Sequence, residues 1–278
     1  MLLLAIDSST RQASLALCSE ETLYAEETWL VENNHSVELL PAIRRLLSSR
    51  NWRPADLSAL AVALGPGSFN GVRVAVATAR SLAFALGKPL VGVGTLDIIA
   101  AQQRRWPGPI CAVLEAGRTE LYAACYLCAE SRDEQGRLTQ ELRRLSDYLL
   151  LPPGQLVASL RELAAASPLA VPGRRELPPF LFCGEMKAVT CTFLRSSLPD
   201  CAFAEPLQAT RRASTLAALA LPRLLRGESD DPLRLEPLYL RPPAITASAR
   251  KQPLLNAVDQ PRSLPQSETE GEERALHH

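Results

Sequence analysis

The stretch "GPGSFNG", residues 65–71, lies between an apolar run at 57–64 and a helical pattern at 72–85. A glycine turn that carries a hydroxyl residue at such a strand-to-helix junction can bring backbone amides close to a phosphate. The same glycines can instead supply positive φ angles and let the helix pack closely on the sheet. The lysine of a nucleotide-binding P-loop is absent, because Asn70, Gly71 and Val72 stand where that motif needs Gly-Lys-Ser or Gly-Lys-Thr. The turn alone therefore leaves both interpretations open.

The segments on either side of this turn predict an α/β fold. Three short strands within residues 2–27 form an opening meander, and residues 36–50 follow as a helix with Ser36 as its N-cap. Beyond the turn, the second helix ends at Gly87, a strand covers 89–95 and a short helix covers 96–103. This alternation indicates a layered unit with part of its sheet parallel. One face of the helix at 36–50 carries Val37, Leu40, Ile43 and Leu47.

From residue 109 the pattern begins again. The stretch "ICAVLEAGRTELYAACY" (110–126) can be laid over "LLLAIDSSTRQASLALC" (2–18) so that Glu115 falls on Asp7, which indicates an internal duplication. A strand at 180–185 and helices at 154–166, 188–198 and 214–227 follow. We therefore predict an N-terminal subdomain at 1–105, a C-terminal subdomain at 106–243 and a disordered tail at 244–278. The tail is rich in Pro, Ser, Gln and Glu and has too little apolar surface to order itself.

The composition disfavours several classes of protein. The chain has 278 residues, 47% of them hydrophobic, with 30 basic and 30 acidic side chains, so it can bury a core but has no overall field that concentrates nucleic acid. A stand-alone RNA-binding module is therefore disfavoured. No apolar stretch approaches the roughly 18 residues of a membrane span, and the cysteines lie mostly in apolar runs, as reduced core thiols do. These features predict a cytoplasmic protein without membrane contact.

The first predicted strand ends in an acid followed by three hydroxyl residues, at 7–10. A carboxylate and hydroxyls at a sheet edge can orient a hydrated magnesium ion and bind phosphate oxygens. The same residue types are also ordinary hairpin-turn formers. His35 precedes a helix, where a role at the helix start is expected, and no histidine is assigned to activate Ser68 as a nucleophile. The residues alone therefore give no catalytic set.

The order of these motifs is more specific than any one of them. The stretches "IDSST", "HS" before a helix, "GPGSFNGVRVAVATARSLAFALGKPLVGVGTLD", "LYAACY" and a late "PLYLR" together resemble the TsaB family, also called YeaZ, over residues 1–241. The resemblance implies an α/β fold of the actin-like, Hsp70-like sugar-kinase (ASKHA, RNase H-like) type with two related subdomains. The chain departs from the family at Asn70, where Thr is usual, and at Glu115-Ala116-Gly117, where the family has Asp-Ala-Arg.

The resemblance also implies a function. In the family, TsaB is a non-catalytic dimerisation subunit of the bacterial machinery that makes threonylcarbamoyladenosine at position 37 of tRNA. The expected partners are a TsaD-type transferase subunit, a TsaE-type ATPase and, for the chain alone, a second copy of itself, with tRNA contacted only through the complex. The alternative is an active ATP-using enzyme of the same fold, such as a small-molecule kinase or a carbamoyl transferase.

The expected site residues follow from the same resemblance. TsaD-type proteins carry two metal-binding histidines four residues apart, at places that correspond to Thr95 and Ile99 here, so neither a metal site nor a catalytic residue is expected. A vestigial nucleotide cleft is expected instead, with no firm cofactor beyond weak binding of ATP or ADP with magnesium. The residues of this cleft are Asp7, Ser9, Thr10, Gly65, Gly67, Ser68 and Gly71.

The helix that follows the glycine turn is apolar nearly all round. Such a helix must be buried on more than one side. Its own chain can cover it completely, or a partner can cover one side, as the resemblance implies for this helix together with the one at 36–50. In the second case the interface residues are Val72, Val76, Ala79, Ala83, Val37 and Leu40.

Overall fold

Five strands form the first sheet: β1 (Leu3–Asp7), β2 (Gln12–Cys18), β3 (Leu23–Leu30), β4 (Ala59–Ala63) and β5 (Leu90–Val93). The computed structural model describes residues 1–32, 34–132, 138–166 and 179–241, and in it the strand order is β3-β2-β1-β4-β5. The central strand β1 pairs antiparallel with β2 and parallel with β4. All five residues of β1 are buried, as its apolar run 3–6 indicates for a strand that is covered on both faces.

The second sheet repeats this arrangement. It contains β6 (Ile110–Gly117), β7 (Glu120–Arg132), β8 (Leu138–Arg144), β10 (Leu181–Glu185) and β11 (Ala202–Phe203), in the order β11-β10-β6-β7-β8. Its β6 pairs antiparallel with β7 and parallel with β10. When β6 is matched to β1, both sheets have the same strand order and the same strand directions. The internal duplication predicted by laying Glu115 over Asp7 is therefore confirmed. A short additional strand, β9 (Leu149–Leu151), pairs with β7.

Six helices in the described ranges cover the sheets. In the first half these are α1 (His35–Ser48), α2 (Phe69–Leu86) and α3 (Thr95–Gln102), with a short 3-10 turn at Pro54–Asp56. In the second half they are α4 (Pro153–Ala166), α5 (Ala188–Ser197) and α6 (Ala213–Leu225). As predicted, α2 ends at Gly87, which adopts the left-handed conformation that a helix C-terminus favours.

The helices pack in layers. α1 and α2 lie on the face of the first sheet that carries Leu4 and Ile6, while α6 lies on the face that carries Leu3 and Ala5. Because successive side chains of a strand point to opposite faces, β1 contributes to both layers. α3 packs against β6 and β7 of the second sheet, and α4 and α5 cover the far face of that sheet. α3 and α6 thus lie between the two sheets.

Several sequence predictions need correction. The N-cap of α1 is Asn34, whose side chain accepts a hydrogen bond from the Ser36 backbone N–H, so Ser36 is not the cap. The strands β8 and β9 fall in a stretch that the sequence did not resolve into strands. α6, from the C-terminal half, packs on the first sheet. The boundary near residue 105 stays a prediction, and the predicted tail at 244–278 lies outside the described residues.

After α6 the chain returns along the first sheet. We call residues 228–241 the strap. Asp230 N donates to Leu90 O at 2.8 Å, and Leu238 N donates to Leu64 O at 2.7 Å. At its end, Arg241 forms an ion pair with Glu120 of β7. The strap therefore contacts both sheets. Across the ranges that the structure describes, none of the helices combines the length and apolarity needed to cross a bilayer.

Candidate functional site

The acid that ends β1 lies in a fully buried polar turn. Asp7 and Ser9 have no exposed surface, and Asp7 Oδ1 accepts a hydrogen bond from Ser9 N at 2.8 Å. Ser8 Oγ donates to Gly71 O at 2.8 Å, and Thr95 Oγ1 donates to Ser9 Oγ at 2.9 Å. The hydroxyls of this turn are thus used to fix α2 and α3 to the end of β1.

The glycines of residues 65–71 allow close contact with that turn. A Cβ added to Gly67 would lie 2.1 Å from Ser9 O, and a Cβ added to Gly71 would lie 2.1 Å from Ser8 O. Ser68 N donates to Ser9 O at 2.6 Å, and its side chain caps α2. Of the two interpretations left open by the sequence, close packing of helix against sheet is the one that the contacts account for.

A buried arginine neutralises Asp7. Arg211 precedes α6 and is 1% exposed, and its Nε donates to Asp7 Oδ2 at 2.9 Å. Its Nη1 binds Glu185 of the second sheet, and its Nη2 donates to Thr10 Oγ1 at 3.0 Å and to Gln12 O at 2.8 Å. Thr10 Oγ1 also donates to Glu185 Oε1 at 2.9 Å. We call these five residues the arginine cluster. It joins the two sheets, and three of its members, Thr10, Gln12 and Glu185, also line a cleft.

The charge of Arg211 is stabilised by its neighbours. Burial on its own would lower the pKa of the guanidinium, but the carboxylates of Asp7 and Glu185 outweigh burial and the pKa is raised. Arg211 is therefore cationic at every physiological pH. Both oxygens of Asp7 are engaged, one by Ser9 N and one by Arg211. The carboxylate is consequently committed to the fold.

The equivalent acid of the second half is also committed. Glu115, near the end of β6, accepts hydrogen bonds from Lys187 N at 2.9 Å and from Thr190 Oγ1 at 2.7 Å. Lys187 is the N-cap residue of α5, so Glu115 lies at the positive end of that helix. A carboxylate in this position occupies the place where the free amides of α5 would bind an anion.

A cleft of about 1000 Å³ lies beside the arginine cluster. Of the residues predicted for a nucleotide cleft, Thr10, Gly67 and Ser68 line it. Asp7, Ser9, Gly65 and Gly71 do not contribute to its lining; they lie in or under the packed turn. The opposite wall includes Glu115, Lys187, Arg195 and Phe203 of the second half.

The two positions of α3 where a TsaD-type protein carries histidines, Thr95 and Ile99, hold side chains that pack in the core. Thr95 is buried and donates to Ser9 Oγ, while Ile99 packs against β6 and β7. Neither side chain suits a metal ion, so the residues present do not fit the metal site of a TsaD-type protein. In the parts of the chain that the structure describes, His, Cys, Asp and Glu side chains form no group of three or more that could hold a metal ion.

The proposed interface residues of α2 face the core of their own chain. Val72, Val76, Ala79 and Ala83 are at most 2% exposed and pack on the first sheet. Their side chains are therefore covered by their own chain, which is the first of the two possibilities that the sequence left open. On α1 the buried face is Leu39, Ala42, Ile43, Leu46 and Leu47. Val37 and Leu40 point outward instead, with 65% and 55% of their surface exposed.

His35, the first residue of α1, is buried against Gly71 of α2. Its Nε2 would lie 3.0 Å from a Cβ added to Gly71, and its Nδ1 has no hydrogen-bond partner within the described residues. Burial lowers the pKa of this imidazole, and the nearby Glu38 opposes that effect only in part. His35 therefore acts as a neutral packing residue between two helix N-termini.

Comparison with known protein families extends these observations. A family model described as TsaD, tRNA N6-adenosine threonylcarbamoyltransferase, matches residues 29–247. The chain is 40% identical over 126 residues to the tRNA threonylcarbamoyladenosine biosynthesis protein TsaB of Bacillus subtilis (strain 168), which covers 45% of this chain and 55% of that protein. It is 36% identical over 138 residues to the protein of the same name from Escherichia coli (strain K12), covering 49% and 58%. The chain thus spans somewhat more than half the length of these curated relatives.

Solved structures match over a longer range. One is the crystal structure of an uncharacterized protein with similarity to peptidase YEAZ from Pseudomonas aeruginosa, with a TM-score of 0.66 and 29% identity over 86% of this chain and 99% of that chain. Another is YeaZ from Pseudomonas aeruginosa, with a TM-score of 0.65, 28% identity and the same coverage. Together with the duplicated strand order, these matches confirm the predicted α/β fold with two related halves, which the chain shares with YeaZ.

Proposed function

Because the chain belongs to the TsaB (YeaZ) family, we propose that it is a non-catalytic subunit of the machinery that makes N6-threonylcarbamoyladenosine at position 37 of tRNA. In this proposal it pairs with a TsaD-type transferase and with a TsaE-type ATPase, and it contacts tRNA only within the complex. The relatives named for tRNA threonylcarbamoyladenosine biosynthesis support the pathway. The geometry of the cleft supports the non-catalytic role.

The observation that carries the non-catalytic role is that Asp7 is buried and both of its oxygens are occupied, one by Ser9 N and one by Arg211. A general acid, a general base or a metal-binding carboxylate must be able to reach a substrate or an ion. Asp7 instead holds the two sheets together, which suits a structural subunit. Glu115, its equivalent in the second half, lines the cleft but binds the start of α5 through Oε1.

The surface proposed for the TsaD-type partner lies on α1 and α2. We call it the partner face, and it consists of the outward side chains Val37, Leu40, Pro41, Ala77 and Phe84. Val37, Leu40 and Phe84 are 65%, 55% and 69% exposed, although all three are large and apolar. Burying such side chains contributes about 25 cal/mol for each Å² removed from water. The partner face replaces the buried residues of α2 that the sequence suggested.

The test of pairing is size-exclusion chromatography with light scattering. The chain is measured alone, then mixed with the TsaD homologue of the same organism, and finally with TsaE and ATP added. We expect a self-associated species alone and a one-to-one complex with TsaD that replaces it. If the mixture shows no complex even with TsaE and ATP, the proposed partnership is wrong.

A matched pair of variants locates the surface. Leu40→Arg places a charge on the partner face, and Val189→Arg places the same charge on α5, where Val189 is 71% exposed. Both positions are exposed, so both variants should unfold at the wild-type temperature. We expect Leu40→Arg to weaken pairing at least tenfold and Val189→Arg to leave it unchanged. Equal effects of the two variants would place the interface elsewhere.

The rival function is an ATP-using enzyme of the same fold. The cleft of about 1000 Å³ is large enough for a nucleotide, and this observation favours the rival. Purified chain is incubated with ATP and magnesium, and released ADP is measured alongside titration of nucleotide binding. We expect no turnover by the chain alone. Steady turnover that is lost in a Ser68→Ala variant would favour the enzyme.

A further inference from the structure

Arg211 lies where the sequence pattern suggested a magnesium ion. The acid at the end of β1 was a candidate to hold a hydrated cation at the sheet edge, and the guanidinium of Arg211 now occupies the position facing it, 2.9 Å from Asp7 Oδ2. We propose that Arg211 is a resident cation buried behind the cleft wall, held by oxygen ligands in place of a divalent metal ion.

The ligands of the guanidinium come from both sheets. They are one oxygen each from Asp7, Glu185, Thr10 and Gln12, which belong to β1, to β10 and to the turn and strand that follow β1. Carboxylate, hydroxyl and carbonyl oxygens are also the ligands that hard divalent cations prefer. The arginine cluster therefore has the donor set of a cation site, with a side chain of the same protein filling it.

The charge balance supports this interpretation. The side chains of Asp7 and Arg211 are each 1% exposed, so water solvates neither charge and each charge is stabilised by the other. Glu185 is 37% exposed and contributes a second negative charge from the cleft side. One fixed guanidinium thus binds both carboxylates, and its single positive charge balances one of their two negative charges. A buried carboxylate without its counter-ion is strongly destabilising. Removing Arg211 should therefore leave a site where binding of another cation stabilises the fold.

The proposal has a functional meaning for the cleft. A ligand that enters beside Thr10 and Ser68 meets Thr10, Gln12 and Glu185, whose oxygens already bind the buried guanidinium of Arg211. It cannot bring a metal ion to Asp7 Oδ2 without displacing Nε of Arg211 from that oxygen. The cleft is thereby closed to metal-dependent chemistry at Asp7, and this holds whether or not the chain pairs with a TsaD-type subunit.

The experiment replaces the resident cation. Arg211→Ala is compared with Arg212→Ala, which removes the neighbouring exposed arginine and serves as the matched control. Thermal unfolding of each protein is followed without additions, with millimolar guanidinium and with millimolar magnesium or manganese. We expect Arg211→Ala to unfold roughly 10 °C below wild type. Guanidinium or the divalent ions should restore part of that loss, and neither should shift wild type or Arg212→Ala.

A second variant keeps the test decisive if Arg211→Ala folds poorly. The double variant Asp7→Asn, Arg211→Met removes both buried charges and should not respond to added cations. Arg211→Ala is then also refolded from urea with and without each cation, and binding of manganese is followed by its paramagnetic resonance. The proposal is overturned if cations leave Arg211→Ala unchanged, or if they act equally on the single and double variants.

Discussion

Single residues show where sequence reasoning succeeded and where it could not. Asp7 was identified as a site candidate because an acid ends an otherwise apolar strand. Arg211 was missed, although it is the partner of Asp7, because the two lie 204 residues apart in the sequence. Within "TRRAST" nothing distinguishes Arg211 from Arg212, and their burial alone separates them. The acid itself indicated that such a partner exists, because a buried carboxylate such as Asp7 requires a cation from elsewhere in the chain.

Gly71 should be intolerant of a side chain. In Gly71→Ala the added methyl group meets Ser8 O and the ring of His35, so the first turn of α2 must move away from β1. We expect a loss of about 3 kcal/mol in the free energy of unfolding, measured with urea. Gly154→Ala is the control, because nothing lies within 4 Å of a Cβ at Gly154 in α4. That variant should be neutral or slightly stabilised, and a similar loss in both variants would contradict the packing role.

His35 should make stability depend on pH. Its folded pKa is lowered by burial, below the value of about 6.5 for the unfolded chain. The folded state therefore binds fewer protons, so stability is complete above about pH 6.5 and is lost as the pH falls toward the folded pKa. Urea unfolding between pH 5 and pH 8 measures this slope. His35→Gln should flatten it, while the terminal histidines, present in both proteins, cancel. An unchanged slope would assign the pH dependence to other groups.

Individual helices show why one apolar pattern misled. α2 carries so many alanines that its sequence fits burial on any side, and periodicity could not choose the inward face. The structure resolves this, since Ala75, Ala79 and Ala83 face the sheet while Ala77 faces out. α1 likewise has more apolar residues than its buried face can hold, so Val37 and Leu40 are exposed. β8 was missed because "LTQELRR" at 138–144 lacks an apolar alternation.

The same substitution at two alanines of α2 should change the free energy of unfolding by very different amounts. Ala79→Arg forces a charge into the core on the first sheet, where Ala79 has no exposed surface, and should cost more than about 4 kcal/mol. Ala77→Arg lies on the outer side of the same helix and should leave stability within about 0.5 kcal/mol of wild type. Circular dichroism with thermal unfolding compares them. If Ala79→Arg folds normally, the orientation of α2 is wrong.

The chain as a whole was predicted best where one half could be compared with the other. Laying 110–126 over 2–18 predicted an internal duplication, and the two sheets indeed have the same strand order, because strand sequence and turn position persist after duplication. The sequence did not predict that α6 and the strap pack on the first sheet. A local sequence pattern does not indicate which sheet a helix from the second half of the chain will cover. Only the long-range contacts decide that, such as Leu238 N to Leu64 O.

The strap should contribute measurably to stability. Asp230 accepts hydrogen bonds from Gly92 N at 2.7 Å and from Arg223 Nη2 at 2.8 Å, so Asp230→Ala should cost about 2 kcal/mol. Asp231→Ala is the neighbouring control, because Asp231 accepts from Leu233 N within the strap and is about half exposed. Chemical unfolding of both variants measures the difference. Equal losses would mean that the attachment of the strap to β5 contributes little.

The position of α6 has a consequence for the newborn chain. Residues 1–105 leave the ribosome long before residues 213–241, yet the face of the first sheet with Leu3 and Ala5 is covered by α6. Until residues 213–225 have been synthesised, that apolar face lacks its cover from α6. The nascent N-terminal half therefore stays exposed until α6 arrives, and chaperones that bind apolar strands have a defined window in which to act.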